Sequence, residues 1–158
     1  MQLFSIIVLL LFLCSACSQS SDPSYHFDKG QYKKALILWS PLANSGDLIA
    51  QNYLGIQYYL GLGVERNLEL AKKWYEKAAS KGFADAQYNL GVMYMNGELV
   101  EQDILTASMW FYAASENGNK NAKKRIEGLL NDDKLFPNQY NHAKTLAEKY
   151  LTTKDTNK

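Results

Sequence analysis

Apolar side chains recur at the spacing of an α-helix along residues 50–58. The members of this stripe are Ala50, Tyr53, Leu54 and Tyr58. Residues three or four positions apart share one helix face, so the pattern predicts an amphipathic helix. The segment 61–63, Gly-Leu-Gly, ends it, because glycine tolerates the left-handed conformation found at helix C-termini. A second helix is predicted from the N-cap candidate Asn67 to a basic last turn before Gly82.

This two-helix pattern recurs with a period of 36 residues. The positions that keep the step are Gly46, Gly82 and Gly118; Ala50, Ala86 and Ala122; Ala35, Ala71 and Ala107; and Trp39, Tyr75 and Phe111. One helix pair cannot bury its apolar side alone, whereas stacked pairs bury it against one another. We therefore predict an all-α fold, a short α/α solenoid with a C-terminal capping helix. Asp103, one period after Asn67, is the second N-cap candidate, and Trp74 and Trp110 are expected to be buried between adjacent pairs.

The period organises residues 25–151 into a repeat domain. Its predicted parts are a half repeat (32–45), two full repeats (50–85 and 86–121), and a closing helix with a terminal cap (122–151). The end units of a solenoid are atypical, because they cap the stack towards solvent. Residues 152–158 follow the cap and are expected to be a disordered tail.

Two copies of the period share a detailed residue signature. The first carries Gly61-Leu62-Gly63-Val64, Ala71, Trp74-Tyr75, Lys77-Ala78-Ala79 and Gly82; the second carries Ala86-Gln87-Tyr88-Asn89-Leu90-Gly91-Val92-Met93-Tyr94, Ala107, Trp110 and Ala113-Ala114. This signature is similar to that of the Sel1-like repeat, a family of α/α solenoids related to tetratricopeptide repeats. The second copy departs from the family at Glu98-Leu99, where the turn has lost its second glycine. The resemblance covers about residues 25–130.

The beginning of the chain has the pattern of an export signal. Residues 3–13 are apolar apart from Ser5, and residues 1–16 carry no charged side chain. Such a run is too short to span a bilayer, for which about 20 helical residues are needed, and has the length of a secretory signal core. We therefore predict a signal peptide at residues 1–16 and an exported protein.

The end of this signal, residues 15–17 with the sequence Ser-Ala-Cys, resembles the bacterial lipobox. In such signals the cysteine thiol receives diacylglycerol; here Cys14 stands where leucine is usual, and the signal has no Lys or Arg. The resemblance implies a lipid anchor at Cys17, and Ser18 in place of aspartate implies delivery to the outer membrane. The polar residues 17–24 are predicted to be a flexible tether. The alternative is an ordinary cleaved signal, which would leave a soluble periplasmic protein.

Composition and charge narrow the functional classes. The chain has 17 Lys and Arg against 16 Asp and Glu, so it lacks the basic excess that nucleic-acid binding requires. Cys14 and Cys17 lie near the N-terminus, before the repeat domain, and His26 and His142 have no partners at ligand spacing. We therefore expect no metal site, no cofactor and no catalytic residue. Four basic side chains within residues 120–125 form either a solvated helix face or a contact for an anionic partner or lipid headgroups.

The only reason to consider enzymatic activity is one subgroup of the Sel1-like family that this chain resembles. Some Sel1-like proteins form a cysteine-rich group with β-lactamase activity. This chain has no cysteine in any repeat and no Ser-x-x-Lys, the arrangement expected for a serine nucleophile in that chemistry. We predict a protein that is not an enzyme and takes no small-molecule substrate, with a cell-wall or β-lactam hydrolase as the alternative.

Recognition of another protein is the function that the resemblance implies. In the related tetratricopeptide arrays, the first helix of each pair lines a concave groove, and matching Leu54-Gly55 to the family's leucine-glycine pair directs six residues towards it. They are Asn52, Ile56, Tyr59, Tyr88, Val92 and Met95. Lys73 and Lys77 are expected on the convex face. We predict a non-catalytic interaction module or adaptor of the bacterial envelope that faces the periplasm and binds a protein or peptide there. In the alternative interpretation the six side chains only pack against neighbouring helices.

Overall fold

The computed structural model describes residues 21–98 and 101–155, which form eight helices and no strand. In chain order they are α1 (Pro23–Asp28), α2 (Tyr32–Asn44), α3 (Leu48–Leu60), α4 (Leu68–Ala79), α5 (Ala84–Asn96), α6 (Ile104–Glu116), α7 (Lys120–Asn131) and α8 (Pro137–Asp155). Helices α3 and α4 form one pair and α5 and α6 the next, each pair packed on its neighbour. The predicted all-α solenoid is confirmed.

Side-chain caps fix where the helices begin. Asn67 Oδ1 accepts a hydrogen bond from the Leu70 amide at 2.9 Å, and Asp103 Oδ1 accepts one from the Thr106 amide at 2.9 Å. Both predicted N-caps are therefore confirmed. The left-handed conformation predicted after the helix is also present, because Gly61 follows α3 with a φ of 70°.

The core of each central pair is an aromatic ring set against a glycine. A Cβ atom on Gly91 would lie 2.6 Å from the Phe111 ring, and one on Gly55 would overlap the Tyr75 ring. Phe111 and Tyr75 are almost completely buried, with 0% and 2% of their surfaces exposed. The two helices of a pair can approach closely because the glycine leaves space for the ring.

The expectation for the two repeated tryptophans is half correct. Trp110 is buried, with 8% of its surface exposed, because Tyr150 of α8 covers it with ring centroids 4.9 Å apart. Trp74 is only half-buried, so the prediction of a buried Trp74 is wrong. Its outer side is covered by the Lys77 ammonium group, 3.9 Å from the ring centre, and not by a helix. The repeat position that Trp74 and Trp110 share is therefore buried at Trp110, where α8 lies over it, and half-buried at Trp74.

The third copy of the period does not form a pair. Helix α8 packs on α6, whereas α4 packs on α3 and α6 on α5. The positions that should carry the glycine and the ring hold Glu127, which is exposed, and Ala147, which is buried. Without that glycine and ring, α8 lies on α6 instead, with Ala143 and Ala147 buried and the Tyr150 ring packed on Trp110. The predicted capping helix is thus present, and it packs on α6.

Two predicted boundaries are wrong. The tether was placed over residues 17–24, but Pro23 and Ser24 belong to α1, and Pro23 is buried. Asp22 caps this helix by accepting from the Ser24 amide at 2.9 Å, and proline suits the first helical position. Residues 17–20 lie outside the described part of the chain.

The disordered tail was predicted from residue 152, yet α8 continues to residue 155. No glycine or proline follows Pro137 to end the helix. The Thr152 and Thr153 hydroxyl groups donate to the carbonyl oxygens of Glu148 and Lys149, each at 3.0 Å. Residues 156–158 lie outside the described part of the chain.

Candidate binding groove

Helices α3, α5 and α7, the first helices of the three copies, line one face of the solenoid. Hydrogen bonds between side chains 37 residues apart join neighbouring members of this row. Asn89 Nδ2 donates to Asn52 Oδ1 at 3.0 Å, and Arg125 Nε donates to Tyr88 Oη at 3.3 Å. These contacts fix the spacing of the helices along this face.

A groove runs between α3 and α5. Its wider part is a cavity of about 440 Å³ and its narrower part a cavity of about 260 Å³. Ile56 and Asn89 line both cavities, which makes the groove continuous. The side chains that line it are Ile49, Asn52, Tyr53, Ile56, Tyr59, Leu60, Tyr75, Phe83, Asp85, Tyr88, Asn89, Val92, Asn119 and Asn121. Its size is that of a cleft which accepts a few side chains of a peptide.

The six residues predicted for a groove lie on this face. Five of them line the groove, and the sixth, Met95, lines the next cavity, of about 550 Å³, between α5 and α7. Five of the six are half-buried, which leaves apolar surface for a partner. Asn52 is the exception, with only 5% of its surface exposed. Its amide is engaged by Asn89, so Asn52 holds α3 and α5 together and offers little surface to a partner.

Polar groups close the groove at the C-terminal end of α3. Arg66 forms an ion pair with Glu98 at 3.2 Å and donates through Nε to the Tyr59 carbonyl oxygen at 3.0 Å. Asn96 Nδ2 lies 3.5 Å from Tyr59 Oη. Burial, and next the nearby Glu98 carboxylate, raise the pKa of Tyr59, so its hydroxyl stays protonated at neutral pH. Among the residues that line the groove, only Asp85 is charged, and the charged groups at this rim, Arg66 and Glu98, are paired with each other.

Two exposed apolar side chains at the groove were missed by the sequence analysis. Ile49 and Leu60 on α3 have 49% and 56% of their surfaces exposed. With Ile56 they form a stripe spaced by seven and four residues, which is a helical pattern readable from the sequence. The register borrowed from related repeats does not include these outer positions.

The two histidines lie in different surroundings. His26 is buried, and its Nδ1 lies 2.8 Å from Gln31 Oε1, which joins α1 to the start of α2. His142 is exposed on α8. No group of three or more His, Cys, Asp or Glu side chains within residues 21–98 and 101–155 is arranged to hold a metal ion. In the same part of the chain, no helix is both long enough and apolar enough to cross a bilayer.

Comparison with known proteins agrees with this architecture. A family model described as the Sel1 repeat matches residues 48–83 and 84–119. These limits begin at the first residues of α3 and α5, two positions before the repeats predicted at 50–85 and 86–121. The two matches follow one another at the predicted step, and each begins where a first helix begins.

Two solved structures share the fold. A Sel1 repeat protein from Oxalobacter formigenes is 34% identical, with a TM-score of 0.64 over 68% of this chain and 44% of its own. A protective antigen of uropathogenic Escherichia coli strains, described as displaying an SLR fold, is 30% identical, with a TM-score of 0.74 over 87% of this chain and 30% of its own. The chain thus spans less than half of either protein.

One curated relative is a chitin synthase regulator of Saccharomyces cerevisiae. It is 40% identical over 73 residues, which make up 46% of this chain and 10% of the regulator. The chain therefore spans about a tenth of that relative's length.

Proposed function

Because residues 48–83 and 84–119 are two consecutive Sel1 repeats, we propose that this protein is a non-catalytic interaction module. Sel1-repeat solenoids typically serve protein–protein interaction. The groove between α3 and α5 is the part of the surface best suited to this role, and its occupant in the proposal is a peptide segment of a partner protein.

The observation that carries this proposal is the continuous row of half-buried apolar side chains along the groove. Ile56, Tyr59, Tyr88 and Val92 line it, and Met95 extends the row towards α7. Tyrosine and methionine are enriched at protein interfaces, because tyrosine combines a rigid ring with a polar tip and methionine adapts its shape. Contiguous exposed apolar surface on a small domain usually marks an interaction site.

The proposal also places the module in the bacterial envelope. The support comes from the sequence, in the signal at residues 1–16 and the lipobox-like Cys17, both outside the described residues. A lipid on Cys17 would attach the domain to the outer membrane with the groove facing the periplasm. Residues 18–22 would then be the whole connection between the anchor and α1, which begins at Pro23. A soluble periplasmic module is the alternative.

Photo-crosslinking in intact cells tests the groove. A photoreactive amino acid at position 88 or 95 is expected to crosslink the partner, and the same group at position 73, on the exposed side of α4, is expected not to. Crosslinks at position 73 of equal yield would contradict the proposed binding face. Replacement Cys17→Ser tests the anchor, and it is expected to release the protein from the membrane fraction or to leave the precursor uncleaved. Normal processing with unchanged membrane association would favour another means of attachment.

A further inference from the structure

Charge is distributed unevenly along the row of first helices. Helix α3 contains no Asp, Glu, Lys or Arg, and α5 contains only Asp85, whose carboxylate accepts a hydrogen bond from Asn119 Nδ2 at 2.7 Å. Helix α7 carries four basic residues, Lys120, Lys123, Lys124 and Arg125, against the single acid Glu127. The binding face therefore has no charged side chain on α3, a single carboxylate on α5, and a basic cluster on α7.

Two of these cations face the binding side of α7. Lys124 lies 36 residues after Tyr88, at the register that faces the groove, and Arg125 is joined to the Tyr88 hydroxyl group. Both line the cavity of about 550 Å³ that also contains Met95. Both are exposed, and neither forms an ion pair with any side chain in the described part of the chain. The third cation of this cavity, Lys134, is paired with Asp132 at 3.5 Å.

We propose that the partner segment is an acidic peptide, which places carboxylate groups on Lys124 and Arg125 and apolar side chains in the groove between α3 and α5. This inference rests on the proposed function and names the chemistry of its partner. Carboxylates suit the arginine fork, which can bind both of their oxygen atoms. The hydrogen bond from Arg125 to Tyr88 joins the basic and apolar parts, so one extended segment can reach both.

A peptide fits this arrangement better than an anionic membrane does. The apolar surface next to the cations lies in a groove between two helices, where a narrow chain can enter and a flat bilayer surface cannot. A membrane contact would use the outermost lysines of α7 and would leave the groove empty. A ligand that uses both the groove and the α7 cations is therefore a peptide, and one that uses only the cations is a membrane.

Selection from a random peptide library on the full-length protein in detergent tests this proposal. We expect selected peptides to contain Asp or Glu next to apolar residues. Replacing those acids by Asn or Gln in a synthetic peptide should weaken binding about tenfold at low salt, since each charge pair contributes a small factor. The variant K124E/R125E should lose binding by a similar factor. The control K73E/K77E makes the same change of charge on the exposed side of α4 and should bind as the wild type does.

Several results would overturn the proposal. They are a selection that yields no peptides, peptides without acidic residues, or an equal loss of binding in K73E/K77E. A membrane contact would appear as weaker attachment of K124E/R125E to vesicles that contain phosphatidylglycerol, with unchanged peptide binding. A cellular crosslink at position 88 that persists in K124E/R125E would overturn the acidic peptide and leave the proposed function standing. A crosslink found only at position 73 would overturn the groove as the binding face, whereas no crosslink at any of the three positions would count against the proposed function itself.

Discussion

The two central helix pairs and the copy that follows them continue the same period with different packing. In the central pairs, Tyr75 lies on Gly55 and Phe111 lies on Gly91. In the third copy the glycine position is Glu127, and α8 packs on α6 instead of α7. The alanine of the period is still present and buried at Ala122. The buried alanine is thus common to all three copies, whereas the two copies that form pairs are those with both the glycine and the ring.

A polar contact also distinguishes the central pairs from the third copy. Gln51 Nε2 donates to the Ala43 carbonyl oxygen at 3.0 Å, and Gln87 Nε2 donates to that of Ala79 at 3.2 Å. Each amide ties a first helix to the end of the preceding helix. The third copy has Lys123 at this position, and its side chain is exposed. Where the repeat contact is lost, the chain presents the Lys123 ammonium group to solvent, which adds to the basic surface of α7.

The largest effect is expected from removing a nested ring. Phe111→Ala should lower the free energy of unfolding by about 3–5 kcal/mol, because it removes a fully buried side chain and leaves a cavity beside Gly91. Tyr140→Ala, at a half-buried ring on α8, should cost clearly less. Urea unfolding of both variants measures the difference. Equal losses would mean that the central pairs are no more tightly packed than the C-terminal cap.

A smaller effect is expected from adding a methyl group to the glycine that receives the ring. Gly91→Ala should destabilise the protein by about 1–3 kcal/mol, because the new Cβ atom would press on the Phe111 ring. Gly128→Ala in α7 is the matched control, since a Cβ atom there meets nothing within 4 Å. The control should be neutral or stabilising by about 0.4–1 kcal/mol. Thermal unfolding that ranks these two variants in the opposite order would contradict the packing described for the central pairs.

Partner binding should depend on the groove side of the central pairs more than on the exposed side of α4. Tyr88→Ala and Met95→Ala should each weaken partner binding by about 1–2 kcal/mol, because aromatic and apolar anchors carry most of an interface's free energy. Helix content, measured by circular dichroism, should stay unchanged. Lys73→Ala and Lys77→Ala should change affinity little, because exposed charges contribute weakly. A dominant effect of Lys73 with a neutral Tyr88 would place the partner on the other face.

The smallest effect concerns pH and the attachment of α8. Burial, and next the Glu76 carboxylate, raise the pKa of Tyr150 to about 12. The unfolded chain loses this proton near pH 10, so the stabilisation is complete below about pH 10 and is lost as the pH rises towards 12. The loss should be about 1 kcal/mol, given how much of this hydroxyl is open to solvent. Because burial also raises the pKa of Tyr75, this loss is measured by urea unfolding at increasing pH as the difference between the wild type and Tyr150→Phe. Tyr150→Phe should reduce the alkaline loss, and an unchanged pH profile would exclude Tyr150 as its source.

Much of the fold could be predicted because its determinants are local and repeated. The caps at Asn67 and Asp103 and the turn at Gly61 act within one or two turns of the chain, so their residue types alone identify them. The six groove residues followed from the register of the repeat. Their availability did not, because Asn52 is enclosed by its contact with Asn89, which lies one helix pair away.

The sequence by itself determined the helical class, the period and the starts of α4 and α6. Each of these depends on the spacing of small and apolar residues and on caps that contact their own helix. Only the tertiary structure decided that Trp110 is buried and Trp74 half-buried, since α8 covers Trp110 and, in the described part of the chain, no ring contact of this kind covers Trp74. It also decided that α8 lies on α6, and that Lys124 and Arg125 stand beside the apolar groove. Burial and proximity depend on which distant segment fills the space next to a residue, and a one-dimensional period does not contain that information.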